Sequence, residues 1–422
     1  MSRIVTEAVK KEKRLLLILF AVALIIRLFF VITFDYVIPE NDAGGYDQVA
    51  LGILNGKGIF FKGLYSLFPP LYPIFLSIIY AIFGYSYHWV LIIQAIISSL
   101  TCLAVYFIAK KLIKDRTWAF IAGLFSCFYL DMILITVPLL SECLFTFLFS
   151  LAALFLLKIE EAPKLSNKII GGIILGLAVL TRPVVMLLPA FILVWLLLKY
   201  RSVKAVVSRS FVYFLFFCLT VAPWTMRNYI IHHAFVPVTI QSGMVFWGSH
   251  NPSANGGYFS VWTQKGFCAS WGPTEIERDR QGFKEGLKFL KSQTFLQNAK
   301  LVFLKIWWFL FPLLPVVYYK YDLTFVLLLP FFVIGIWHMR KSNNLLLYIM
   351  ANFLLAVMIF YGHPRLRAPA SPFIIVLGIA GLKYCYDRFK DKAFFSFVTS
   401  GWILFNLGIF ISHTVFNFKF LH

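Results

Sequence analysis

Apolar segments long enough to cross a bilayer recur along the chain from residue 15 to residue 411, and this recurrence restricts the fold more than any other feature. About 20 helical residues span the hydrocarbon core, and within it every backbone N–H and C=O group must be paired inside the protein. The segments lack the alternation of apolar and polar residues that marks the strands of an outer-membrane barrel. We therefore predict an all-α polytopic membrane protein.

The hydrophobic pattern predicts 11 transmembrane helices, with a range of 11 to 13. They cover approximately residues 15–34, 88–109, 117–137, 142–157, 169–180, 183–198, 211–224, 322–337, 344–360, 368–382 and 394–413. Two further apolar pieces, 69–84 and 301–315, are short or interrupted by proline. A crossing at the first piece alone would move the basic segment 110–116 to the outer side. Both pieces are therefore predicted to be interfacial or re-entrant helices.

Lysine and arginine are concentrated in one set of short loops, which the positive-inside rule assigns to the cytoplasm. These loops hold 22 of the 39 Lys and Arg residues and comprise 1–14, 110–116, 158–168, 199–209, 340–341 and 383–392. The segment 35–70 contains only Lys57 and Lys62 and is predicted to be extracytoplasmic. We expect a multi-pass protein of the cell (inner or plasma) membrane with a cytoplasmic N-terminus. Because the cations gather in loops beside spans, the net charge of +21 does not indicate nucleic-acid binding.

The predicted topology divides the chain into three parts. Residues 1–227 form a membrane module that includes the first outer loop, 35–87. Residues 228–321 form one larger outer loop with a polar helix from about 275 to 291, and residues 322–422 hold the C-terminal transmembrane helices.

Charged residues in or beside the spans gather at the predicted outer face. They are Arg27, Asp131, Glu142, Arg182, Arg227, His363, Arg365 and Arg367. A charge in the hydrocarbon region is costly, so each one is a functional hypothesis. A planar guanidinium binds phosphate through parallel hydrogen bonds, so the five arginines are candidates to hold a lipid phosphate or pyrophosphate. Alternatively, they extend toward lipid headgroups or pair with Asp131 and Glu142; for Asp131 an internal ion pair is the preferred interpretation.

The first outer loop carries a second group of charges, the carboxylates Asp35, Glu40, Asp42 and Asp47. Apolar residues recur in this loop at positions 46, 49, 50, 53 and 54, and the sequence "NGKG" follows them. This spacing predicts a short helix lying on the membrane. Asp42 falls at or just before its start, where it either caps the helix or acts as a catalytic base. A capping carboxylate is the weaker base, so the two roles conflict in part.

Six stretches of the chain, taken in order, carry a resemblance to a known family. They are "NDAGGYDQVA", "PPLYPIFLSIIYAIFG", "LSECLFTFLF", "LTRPVVMLLP", "APWTMRNYIIHHAFVPVTIQSGMVFWGSHNP" and "HPRLRAPASPFIIVLGIAGL". The pattern resembles the C-type superfamily (GT-C) of integral membrane glycosyltransferases. It is most similar to the branch that contains protein O-mannosyltransferases and the lipid A aminoarabinose transferase.

The resemblance implies a polyprenyl-phosphate sugar as donor and an acidic residue of the first outer loop at the reaction centre. Asp42 matches that acid by position, Asp47 is the fallback, and Tyr46 occupies the aromatic position that follows. Some relatives carry a lysine just before the double proline, where it meets the donor phosphate, whereas this chain has Phe68 there. The phosphate contact is therefore expected from Arg27, Arg182, Arg227, Arg365 and Arg367, while Glu142 and His363 are expected to contact substrate.

The function predicted from these features is transfer of a sugar from a polyprenyl-phosphate donor to an acceptor hydroxyl at the outer face. Asp42 would act as base, with inversion at the anomeric carbon. The acceptor would be a glycan, a lipid or a protein, and membrane lipids surround the chain. No cofactor is required, and a divalent metal is not excluded; the cysteines and histidines show no zinc-site spacing.

Two alternative functions stay open. A lipid-linked sugar flippase or transporter would place ionisable residues near the bilayer midplane, which is nearly free of charge in this sequence. A glycan polymerase would also use outer arginines, and chain extension rather than single-sugar transfer would distinguish it.

Overall fold

The computed structural model describes residues 2–33, 42–257, 271–313, 321–342, 344–389 and 391–415. Asp35 and Glu40 of the first outer loop lie outside the described residues. Up to residue 232 the helices are α1 (Ser2–Thr33), α2 (Asp42–Leu54), α3 (Leu71–Phe83), α4 (Tyr87–Ile113), α5 (Arg116–Phe128), α6 (Leu130–Leu134), α7 (Glu142–Glu161), α8 (Leu165–Thr181), α9 (Leu188–Tyr200) and α10 (Val203–His232). The later helices are α11 (Ser242–Gly248), α12 (Glu275–Ser292), α13 (Phe295–Leu310), α14 (Leu323–Met339), α15 (Leu345–Ile359), α16 (Pro364–Arg367), α17 (Ser371–Arg388) and α18 (Lys392–Val415).

The predicted all-α, multi-pass membrane architecture is confirmed. Within the described residues, 8 helical segments are long and apolar enough to cross a membrane, and each coincides with a predicted span. Three shorter apolar helices, Leu71–Phe83, Leu165–Thr181 and Leu345–Ile359, accompany them. The last two match the predicted spans at 169–180 and 344–360, and the first is the predicted interfacial piece. Helix α13 is not among the candidate spans.

The predicted continuous span 117–137 is wrong. Helix α5 ends at Phe128, Tyr129 leaves the helical conformation with ψ 116°, and the short α6 follows. The break is stabilised by another part of the chain, because the backbone N–H of Leu130 donates to Oγ1 of Thr324 on α14 at 3.0 Å. A hydrogen bond from a distant side chain replaces the one that helix continuation would have supplied.

The bundle core is built where helices approach closely at small residues. Helices α14 and α17 cross at Gly335, where an added Cβ would lie 1.9 Å from the carbonyl oxygen of Leu377. The reciprocal contact is at Gly381, where it would lie 1.9 Å from the carbonyl oxygen of Phe331. Such contacts are typical of transmembrane packing, because small residues let two backbones approach.

The two predicted sets of loops each make contacts among their own members. Side chains from the basic set pair with one another, as in the ion pairs Lys110–Glu12, Lys111–Glu161 and Lys199–Glu160. The first outer loop instead contacts the large outer loop, since Glu275 accepts hydrogen bonds from the backbone N–H groups of Tyr65 and Ser66 at 2.6 and 3.1 Å. Which end faces the cytoplasm stays a prediction from charge.

The polar helix predicted at about 275–291 is confirmed as α12. It begins with a capping box, in which Thr274 accepts from the backbone N–H of Glu277 while the Glu277 side chain accepts from the backbone N–H of Thr274. Such reciprocal bonds satisfy two backbone donors at the helix start. The following α13 begins with the same device at Thr294 and Gln297.

Candidate active site

The helix predicted in the first outer loop is confirmed, and it starts at Asp42. Tyr46, Val49 and Ala50 are buried, as the apolar spacing indicates. The chain leaves the helix through the "NGKG" segment, in which Gly56 and Gly58 have φ values of 70° and 77°. Glycine suits this left-handed backbone because it has no Cβ. Asp42, at the opposite end of α2, has an exposed side chain.

Arg365 joins Asp42 to Glu142. Its Nη1 lies 2.9 Å from Oδ2 of Asp42, and its Nε forms an ion pair with Oε1 of Glu142. The same Glu142 oxygen lies 2.8 Å from Nη1 of Arg182. These four residues, here named the Arg365 cluster, draw on α2, α7, the end of α8 and α16. Four of the residues predicted for the site are therefore brought together by the fold.

The Arg365 cluster is open on one side. The Asp42 side chain is 53% exposed and that of Arg365 is 26% exposed, whereas Glu142 is only 2% exposed. The buried Oε2 of Glu142 has no hydrogen-bond partner among the described residues. Because an unsatisfied buried oxygen is costly, it is a free acceptor position beside two guanidinium groups.

Tyr46 and Ser141 support the cluster from inside. Ser141 Oγ accepts from Arg182 Nη1 at 3.1 Å and lies 3.3 Å from the Tyr46 hydroxyl. The Tyr46 ring packs against Phe68 and Tyr72, with centroid distances of 4.7 and 5.0 Å. Burial raises the pKa of Tyr46 to about 12, so the phenol stays protonated. Phe68, which stands where some relatives have lysine, thus packs on the predicted substrate-binding tyrosine.

His363 holds the turn that carries Arg365. Its Nδ1 accepts from the backbone N–H of Arg365 at 3.0 Å, which caps the short α16. Burial, followed by the nearby Arg365, lowers the pKa of His363 to about 4. The imidazole is therefore neutral at physiological pH and keeps Nδ1 as an acceptor.

Asp47, the fallback base, lies on the same helix in a different environment. Its carboxylate accepts from the Tyr80 hydroxyl at 2.7 Å and from the Tyr85 hydroxyl at 3.0 Å. Asp47 is only 6% exposed. Burial, followed by Asp47, raises the pKa of Tyr85 to about 12, so this donor stays protonated. Asp47 is less accessible than Asp42 and does not join the Arg365 cluster.

Arg27 lies away from the cluster and is fully buried. Its guanidinium donates to Ser98 Oγ at 2.7 Å and to the carbonyl oxygens of Ala23 and Cys127, each at 3.2 Å. Since protein groups already occupy these donors, we do not retain Arg27 as a phosphate ligand.

Arg227 belongs to the scaffold of the outer loops. It donates to the carbonyl oxygens of Tyr65 at 2.7 Å and Ile59 at 2.8 Å, and it stacks on Trp224 at 4.4 Å from the ring centroid. Asn228 next to it donates to the carbonyl of Val238 at 3.0 Å. The "PWTMRN" stretch therefore ties α10 to both outer loops, and Arg227 is not retained as a phosphate ligand.

Arg367 forms a second ion cluster with Asp131 and Asp322, here named the Arg367 cluster. Its Nε lies 3.1 Å from Asp131 and its Nη2 lies 2.6 Å from Asp322, and all three side chains are fully buried. The preferred interpretation of Asp131 as an internal ion partner is confirmed. Asp322 was not among the predicted site residues; it caps α14 by accepting from the N–H of Phe325 at 3.0 Å. Arg367 is likewise not retained as a phosphate ligand.

A protein-family model matches a segment that carries part of the candidate site. Residues 68–226 match the model described as dolichyl-phosphate-mannose-protein mannosyltransferase. The matched segment contains Glu142 and Arg182 but neither Asp42 nor Arg365. A search of curated proteins found no match.

The chain is also similar to solved structures. It superimposes on the oligosaccharyltransferase of Archaeoglobus fulgidus, solved in complex with Zn and sulfate, with a TM-score of 0.55 and 16% identity. The chain has the GT-C fold. The superposition covers 94% of this chain and 51% of the archaeal one, so this chain spans about half the length of that protein.

A second solved structure gives a weaker superposition. ArnT from Cupriavidus metallidurans, bound to undecaprenyl phosphate, matches with a TM-score of 0.45 and 14% identity, over 87% of this chain and 77% of that chain. Among the described residues of the present chain, no group of three or more His, Cys, Asp or Glu side chains is arranged to hold a metal ion.

Proposed function

We propose that this protein is a glycosyltransferase that moves a sugar from a polyprenyl-phosphate donor to an acceptor hydroxyl at the extracytoplasmic face, with inversion. The observation that carries the proposal is the partly exposed Arg365, whose guanidinium bridges Asp42 and the buried Glu142. This arrangement places the proposed base, Asp42, next to the proposed phosphate ligand, Arg365. The match over 68–226 to a family described by dolichyl-phosphate-mannose supports a polyprenyl-phosphate donor.

Arg182 and Arg365 are the proposed ligands of the donor phosphate. Two guanidinium groups and two carboxylates balance in the Arg365 cluster, so an arriving phosphate competes with Asp42 for Arg365. Phosphate accepts charge-assisted, bidentate hydrogen bonds from arginine. Glu142 keeps both guanidinium groups oriented, because it is buried and contacts each of them.

Asp42 is the proposed base. When Arg365 turns to the phosphate, Asp42 loses its partner and accepts the proton of the acceptor hydroxyl. The acceptor oxygen forms a bond to the anomeric carbon from the side opposite the phosphate, and the bond between that carbon and the phosphate oxygen breaks. The electron pair leaves with polyprenyl phosphate, whose additional negative charge Arg182 and Arg365 stabilise.

The test is a transfer assay with purified protein in detergent, a panel of radiolabelled polyprenyl-phosphate sugars, and a membrane extract that supplies lipid, glycan and protein acceptors. We expect Asp42→Asn to lower turnover about 10²- to 10⁴-fold while donor binding is largely retained. Asp47→Asn on the same helix is the matched control and should keep turnover near that of the wild type. The chelator EDTA, added in parallel, reports whether a divalent metal contributes.

Two results would contradict the proposal. Near-normal turnover of Asp42→Asn would show that another residue acts as the base. If no donor is consumed and labelled lipid instead moves between the leaflets of liposomes, the protein is a flippase for a lipid-linked sugar.

A further inference from the structure

A lysine and a histidine form a buried pair under the large outer loop. Lys305 on α13 is fully buried and His250 is 4% exposed. Lys305 Nζ lies 2.7 Å from His250 Nε2 and donates to the carbonyl oxygen of Met358 at 3.2 Å. His250 Nδ1 lies 2.8 Å from the carbonyl oxygen of Phe246, so Nδ1 carries the ring proton. Nε2 is consequently the acceptor for the lysine.

This pair contacts the end of α15, from which the turn at residues 360–363 leads to Arg365. Met358 is in the last turn of α15, where a cation interacts favourably with the helix dipole. The turn is also fixed at Gly362, whose N–H donates to the carbonyl oxygen of Gly256 at 2.9 Å. A Cβ on Gly362 would lie 1.8 Å from the carbonyl oxygen of Lys305, so the turn packs directly on the α13 backbone.

We propose that Lys305 and His250 are positioning residues, which hold the turn at residues 360–363 so that Arg365 reaches both Asp42 and Glu142. His250 orients the lysine amine, and the lysine holds the end of α15. The pair also connects the large outer loop to the Arg365 cluster, because His250 follows α11 and Lys305 belongs to α13. As a statement about catalysis, this inference rests on the proposed function.

The charge of the pair changes near neutral pH. Burial lowers the pKa of Lys305 to about 7, and burial together with Lys305 lowers the pKa of His250 to about 4. Among the described residues, neither side chain pairs with a carboxylate. The other titratable groups on or beside α15 and α16, which pack against α13, are Tyr348, Tyr361, His363, Arg365 and Arg367. As pH rises through about 7, the amine loses its charge and one donor, which weakens its hold on α15.

The first test measures hydrogen–deuterium exchange in full-length protein in detergent. Lys305→Met removes the amine without leaving a buried charge, and His250→Gln provides an independent variant. Lys300→Met, an exposed position on the same helix, is the matched control. We expect peptides covering residues 358–366 to exchange about tenfold faster in Lys305→Met and His250→Gln, and at the wild-type rate in Lys300→Met. Unchanged exchange in both pair variants would overturn the inference.

The second test measures transfer as a function of pH. Lys305→Met should lower the turnover number about 10- to 100-fold, with a smaller change in KM for the donor. The wild-type rate should decrease as pH rises from 6 through about 8, and Lys305→Met should lose this decrease. A decrease that persists in Lys305→Met would overturn the role of the pair, because a purely structural lysine would leave the pH profile intact.

The two proposals fail in different ways. Absence of transfer by the wild type under every condition refutes the proposed function, whereas the exchange measurement still decides whether the pair holds the turn.

Discussion

Arg365 and Arg367 lie two residues apart in the same short helix, yet the fold gives them different environments. Arg365 is 26% exposed and contacts Asp42, which is 53% exposed. Arg367 and both of its carboxylate partners are fully buried. An accessible ion pair can exchange partners with an incoming anion, whereas a buried one loses stability if either partner is removed. The difference separates a candidate reaction centre from a structural anchor.

The anchor joins several parts of the bundle. Besides its ion pairs, Arg367 donates to the carbonyl oxygen of Phe311 at 2.6 Å and to that of Leu313 at 3.0 Å. Its guanidinium lies 3.9 Å from the centroid of the Phe325 ring. The Arg367 cluster therefore ties α6, the segment just after α13, α14 and α16 together.

The largest effect is expected from Arg367→Met. It leaves Asp131 and Asp322 buried without their counter-charge, and we expect the free energy of unfolding to fall by about 3–5 kcal/mol. The midpoint of thermal unfolding in detergent, together with the yield of monodisperse protein, measures this loss. An unfolding midpoint of Arg367→Met equal to that of the wild type would show that the two carboxylates find another partner.

Arg365→Met should affect turnover more than stability. We expect turnover to fall about 10²- to 10³-fold, because a donor that stabilises the leaving phosphate is lost. The unfolding midpoint should fall less than in Arg367→Met, because Arg182 still pairs with the buried Glu142 and the exposed pair with Asp42 contributes little stability. Arg182→Met provides the parallel variant on the other side of Glu142. Turnover equal to that of the wild type in both variants would show that the Arg365 cluster does not bind the donor phosphate.

A smaller effect is expected from acid on His363, the partly buried histidine that caps α16. The pKa of His363 is about 4 in the folded protein, below its ordinary value of about 6.5. Between these values the unfolded chain takes up a proton that the folded chain does not, so the free energy of unfolding falls as pH decreases. Thermal midpoints between about pH 7 and 4.5 should fall less in His363→Gln than in the wild type. Equal slopes would contradict the assignment.

The smallest effect is expected from Thr324→Val at the break between α5 and α6. The variant leaves the backbone N–H of Leu130 without its 3.0 Å partner, which should cost about 1 kcal/mol. Turnover should be unchanged, because the Arg365 cluster is untouched. A large loss of turnover would mean that the two clusters are coupled through α6.

Several elements could be predicted because their cause is local. Apolar length predicts the spans, the spacing of Tyr46, Val49 and Ala50 predicts α2, and the polar helical pattern at about 275–291 predicts α12. These features depend on residues within a few positions of one another. The break at Tyr129 could not be predicted in this way, because its stabilising partner, Thr324, lies 194 residues further along the chain.

The sequence by itself determined that this chain is a helical membrane protein and which acids and arginines gather at one boundary. Only the tertiary structure decided how these charges divide, since the bond from Arg365 to Asp42 joins residues 323 positions apart and that from Arg367 to Asp131 joins residues 236 apart. Two arginines of the same type and nearly the same position differ in exposure and in partners. Burial and partner identity depend on which helices are adjacent in the folded protein. Residues close together in the sequence do not specify these long-range contacts.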